Sequence, residues 1–198
     1  MRIKSHWFRS DRPKSPQEIA GAAAFIAWRI AQDAIRTMRS ARYELPAGER
    51  YLAFVGEFLL FLAVGADRIA HRRGDEAWRV AFTTALVRRV AEILGETEAD
   101  LLGVDTAGEV RRRFVDRFNA GADDYAVCGW TDEGPDYGLL RCFAHRVAAV
   151  MDEGDRGWAV SQIIEVQGPD AAANLARAMR GLLDPSPRRS RGVHATGE

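Results

Sequence analysis

Apolar positions recur at helical spacing along most of this chain, and one stretch departs from the pattern by having almost no polar positions. From Tyr51 to Ala66 every residue is apolar or glycine except Glu57. A helix that is apolar nearly all round belongs in the middle of a helical assembly. The run is too short, and charged too near its middle, to serve as a membrane span, which needs about 20 apolar residues. The pattern therefore predicts a central helix over about 49–73. Gly74 is expected as its left-handed C-cap, and Arg72 and Arg73 lie at the negative end of its dipole.

Amphipathic segments flank this helix. Ser15-Pro16-Gln17-Glu18 is a capping box with proline at the first helical position, and it opens a helix carrying Ile19, Ala23, Ile26, Ile30 and Met38. That helix is expected to end near Arg42 or Tyr43, before Pro46. Asp75 caps a third helix bearing Trp78, Phe82, Ala85, Leu86, Val90, Ile93 and Leu94, with Gly95 as its expected end and one further short turn between Thr97 and Gly103. Thr106-Ala107-Gly108-Glu109 repeats the capping-box pattern and opens a fourth helix. Its buried stripe is Val110, Phe114 and Phe118, and Arg111, Arg112, Arg113 and Arg117 read as its solvated face.

Residues 119–138 lose the period. The segment holds Asp123, Asp124, Tyr125, Trp130, Asp132, Glu133, Asp136 and Tyr137 without one basic residue, and reads as a long acidic, aromatic loop. Loops of this length are often functional, and these carboxylates and aromatics make the loop a candidate site, although its spacing matches no EF-hand. A fifth helix follows from about Tyr137 to Met151. Trp158 to Val166 reads as a short helix or a buried strand, with helix the more economical choice. A last helix starts at Gly168-Pro169-Asp170 and stops at Asp184. The expected architecture is all-α: one bundle of about six or seven helices over residues 15–184, with the first three as its core layer.

Composition adds bounds rather than a function. Hydrophobic residues are 47% and charged residues 28% of the 198, and 28 basic residues balance 28 acidic ones, so no global field draws nucleic acid. Arginine predominates over lysine, which fits the codon usage of a GC-rich bacterial genome. Residues 1–14 form a basic arm in which Ile3, Trp7 and Phe8 interrupt Arg2, Lys4, Arg9, Arg12 and Lys14. Such an arm can contact single-stranded nucleic acid, but docking on its own domain or on a neighbouring subunit is the plainer reading. Residues 185–198 read as a polar, disordered tail. Two cysteines make no disulfide framework, and with no signal peptide the expected compartment is the cytoplasm.

Two constellations carry candidate chemistry. Asp67 and His71 share a face of the central helix at i, i+4, and Cys142 and His145 stand at i, i+3 on the fifth. Were those helices adjacent, the four could bind Zn²⁺ or another divalent metal, as bundle cores do. Separately, Arg50, Glu57 and Arg68 fall on one stripe of the central helix and form a polar seam. A buried Glu57 needs a partner, and Arg29 or Arg36 of the first helix is the expected one. There is no Gly-x-Ser-x-Gly elbow, and the absence of lysine after Lys14 excludes a Walker phosphate loop. The leading expectation is a non-enzymatic binding module that self-associates through apolar helix faces and takes an unidentified protein or small-molecule ligand. The alternative is a metal-binding protein or metal-dependent enzyme.

Overall fold

A computed structural model describes residues 13–40, 48–72, 74–103 and 107–184. Most of the basic arm, the expected end of the first helix, Arg73, Thr106 and the tail lie outside the described residues. Among the described residues the protein is all-α apart from one minimal hairpin. In chain order its elements are α1 (Pro16–Ser40), α2 (Glu49–His71), α3 (Glu76–Leu102), α4 (Ala107–Tyr125), β1 (Trp130–Thr131), β2 (Gly134–Pro135), α5 (Tyr137–Ala149), α6 (Arg156–Gln162) and α7 (Gly168–Leu183).

The local signals act as their chemistry requires. Ser15 and Glu18 cap reciprocally, with the Ser15 amide donating to Glu18 Oε2 at 2.9 Å and the Glu18 amide to Ser15 Oγ at 3.2 Å. Asp75 Oδ1 accepts from the Trp78 amide at 2.7 Å and starts α3. Every residue of α2 from Phe54 to Ala66 is buried, Glu57 included. α2 is the hub: it touches α1, α3, α4, α5, α7 and β1, while α1 packs chiefly on α3. Among the described residues no helix is long and apolar enough to cross a membrane.

Three expectations fail, each for a tertiary reason. α3 runs through Gly95 to Leu102, because Leu94, Gly95 and Glu98 continue its buried face, and it is Gly103 that turns left-handed (φ 68°). Gly74 is not a left-handed cap. It is glycine because a Cβ there would meet the Trp78 ring at 2.8 Å. α4 runs on to Tyr125, so the expected loop over 119–138 shrinks to a turn and the hairpin, in which Trp130 pairs with Pro135 and Thr131 with Gly134. Gly121 lies mid-helix because a Cβ would come within 2.5 Å of Leu60 on α2. Residues 158–166 are helical, as preferred over a strand: α6 passes through a π-helical turn, Ile163–Gln167, directly into α7.

Candidate functional site

The seam on α2 is covered from α4 and α5. Glu57 is 5% exposed, and its Oε2 accepts from Arg146 Nε of α5 at 2.7 Å while Arg117 Nε of α4 stands 3.6 Å from Oε1. Arg146 continues to Asp124 at the end of α4. Gly56 makes room for this, since a Cβ there would lie 1.9 Å from Arg117 Nη1. The partner is therefore not an α1 arginine; Arg36 instead pairs with Asp33 of its own helix at 3.0 Å. Burial pulls the Arg146 guanidinium down, but the charge and hydrogen bond of Glu57 outweigh it, and Arg146 is held above its ordinary value. Nor is the arginine-rich α4 only a solvated face: Arg113 Nη2 donates to the buried Glu98 of α3 at 2.7 Å, as Arg117 reaches toward Glu57.

The rest of the seam holds the segment after α4. Arg50 pairs with Asp152, and Arg68 donates to the carbonyls of Tyr125 and Cys128. One turn on, Arg72 donates to the Trp130 carbonyl and to Asp132. Trp130 is buried in a notch left by Gly65, where a Cβ would come within 2.5 Å of the indole, and its ring lies 5.7 Å from Phe61. Phe61, Gly65, Arg68 and Arg72 thus form one helical stripe that clasps the hairpin. Asp136 closes it from the other end, accepting from the Gly129 amide and, at 2.7 Å, from the Leu139 amide at the start of α5. Of the remaining loop candidates, Asp123 and Glu133 are exposed. Tyr125 is fully buried, its hydroxyl has no partner among the described residues, and burial raises its phenol far above the ordinary value.

The structure brings α2 and α5 into contact but does not assemble the four candidate metal ligands. Asp67 faces α3, where Arg79 holds it through Nε at 3.0 Å and Nη2 at 2.7 Å and the Thr83 hydroxyl also donates to it. The hydrogen bond to Asp67 is the main cause raising the Arg79 guanidinium. His71 and His145 are both exposed, and among the described residues no three His, Cys, Asp or Glu side chains gather to hold a metal ion. Charges already neutralised by short partners leave the seam little capacity as a free base or anion receptor. It locks α2, α4, α5 and the hairpin together.

Open surface lies elsewhere. A groove of about 720 Å³ runs between α1 and α3, with Gln17 and Gly21 on one side and Ala77, Val80, Ala81, Thr84, Ala85 and Arg88 on the other. Val80 is 58% exposed there. The sequence carried a signal for this face: Ala77, Val80 and Ala81 are apolar but fall outside the stripe of Phe82, Leu86 and Val90 that α3 buries. A smaller hollow of about 500 Å³ lies among α1, α2 and α3, walled by Trp28 and Tyr51, with Arg39 held 5.8 Å from the Tyr51 ring centre. No protein-family model matches the chain, and neither a curated protein nor a solved structure matches it.

Proposed function

We propose that this protein is a non-enzymatic interaction module that self-associates, with the α1–α3 groove as the contact between two copies. The observation that carries this reading is the exposed Val80 set among small residues, which would admit the close approach of another helix. Charge complementarity favours a second copy as the occupant. Glu76, at the start of α3, and Arg88, near its middle, are both exposed, and Arg88 has no ion-pair partner among the described residues. In a two-fold antiparallel pairing of α3 centred near Phe82, each copy's Glu76 stands level with the other's Arg88 along the axis, so opposite charges lie at matching heights of the contact. The face from Ala77 to Arg88 is about 17 Å long at 1.5 Å per residue. A contact of that size belongs to the weak class, with dissociation in the micromolar range.

Sedimentation equilibrium from about 1 to 200 μM tests the reading in the range where weak contacts form. The expected result is a monomer–dimer equilibrium that Val80→Glu shifts to monomer, because the new carboxylate would be desolvated in the contact. A wild-type monomer across that range overturns the reading, whatever else occupies the groove.

A further inference from the structure

We propose that Cys128 and Cys142 are a redox-modification site, which exchanges with a small disulfide and closes into an intramolecular disulfide clipping the turn after α4 to α5. Both cysteines are free and half-buried. Cys128 Sγ stands 3.6 Å from the position a Cβ would take on Gly138, so it lies against the first turn of α5. Cys142 is four residues further on, on the same face, about 5–6 Å away between Cβ positions. Side chains on a helix lean toward its N-terminus, which tilts Cys142 back toward Cys128. Cys128 is also among the neighbours that push the Cys142 thiol up.

Access and order of attack follow from the surroundings. Val127, beside Cys128 in the turn, is 94% exposed, so an oxidant can reach the turn from solvent. The turn is held by local backbone bonds, Ala126 N–H to the Asp123 carbonyl at 3.1 Å and Cys128 N–H to the Tyr125 carbonyl at 3.0 Å, and by Arg68. Cys128 thus sits in the short turn between α4 and β1 rather than within a helix. Burial, with Asp124 adding to it, raises the Cys142 thiol, and Cys128, in the turn beside exposed Val127, is the sulfur an oxidant meets first. The Cys128 thiolate attacks one sulfur of a disulfide RSSR and expels RS⁻, forming a mixed disulfide. Cys142 then loses its proton to solvent and attacks the Cys128 sulfur, expelling the second RS⁻. Two cysteine thiols are oxidised, one RSSR is reduced, and the two protons end on two RSH.

The test is incubation of the native full chain with oxidised glutathione, quenching by alkylation, intact mass and peptide mapping. The expected product is a monomer lighter than the reduced chain by two hydrogens, resistant to alkylation, with Cys128 and Cys142 joined and the link removed by dithiothreitol. Cys142→Ser should stop at one glutathione on Cys128. Cys128→Ser should react at least about tenfold more slowly, its remaining thiol lying on α5 away from the exposed turn and raised by burial. A wild-type chain that accumulates glutathione adducts or interchain disulfides without the internal link overturns the proposal, as does a Cys128→Ser chain that reacts as fast as wild type.

Discussion

The two sides of this bundle treat their surfaces in opposite ways. Where α2 meets α4, α5 and the hairpin, the seam charges face a partner: Glu57 takes Arg146 and Arg117, Arg68 takes two carbonyls, and Arg72 takes Asp132 and the Trp130 carbonyl. On the α1–α3 side a branched apolar residue and a run of alanines stand open, and Arg88 is unpaired among the described residues. A sealed polar interface holds a fold together, whereas an open apolar one is available to a partner. Under the proposed function, the first side carries stability and the second association.

The largest effect should come from breaking the seam. Arg146→Ala leaves Glu57 in place at 5% exposure with only the 3.6 Å contact to Arg117. Removing one partner of a buried pair costs about 3–5 kcal/mol, so the midpoint of urea unfolding should drop sharply. Adding Glu57→Gln should recover much of that loss, since the stranded charge is then gone. Val80→Glu, the variant expected to abolish association, should by contrast change monomer stability by less than about 0.5 kcal/mol, as surface substitutions do. Equal losses from the two variants would erase the distinction between the sides.

A smaller effect, of opposite sign, is expected at Tyr125. Its hydroxyl is buried without a partner among the described residues, and Tyr125→Phe deletes it while keeping the ring, so stability at pH 7 should rise by about 1 kcal/mol. The pH dependence sharpens the point. Because the folded value is raised, the folded chain keeps the phenol protonated where the unfolded chain ionises it. The stability tied to this group is full below about pH 10 and is lost as pH rises beyond it. Denaturation curves at pH 7 and above pH 10 should show a smaller alkaline loss in Tyr125→Phe than in wild type.

These contrasts also separate what the sequence disclosed from what it withheld. Helix starts were legible at Ser15 and Asp75 because a cap is a local device, and the central helix was legible because burial all round leaves no polar face. Glu57 was recognisable as the odd charge in that helix, but its partners lie 60 and 89 positions along the chain, and no local period points to them. The α4 extension was hidden because the apolar period lapses after Phe118, while the close approach of Gly121 to Leu60 is a tertiary requirement that overrides propensity. The same logic hid Gly56, Gly65 and Gly74, each small because a side chain crosses it. The i, i+4 spacing of Asp67 and His71 puts both on one helix face, yet the bond to Arg79 turns Asp67 toward α3.

The proposed self-complementary contact is most directly tested by charge reversal at Glu76 and Arg88 of α3. The dimer dissociation constant would be measured by sedimentation equilibrium for wild type, Glu76→Arg, Arg88→Glu and the double variant. Antiparallel pairing predicts that each single reversal, by setting like charges opposite each other twice, weakens the dimer at least about tenfold. The double variant should return to within about threefold of wild type, because the swapped charges meet again. A double variant as weak as the sum of the two singles, or singles that leave the constant unchanged, would contradict the account.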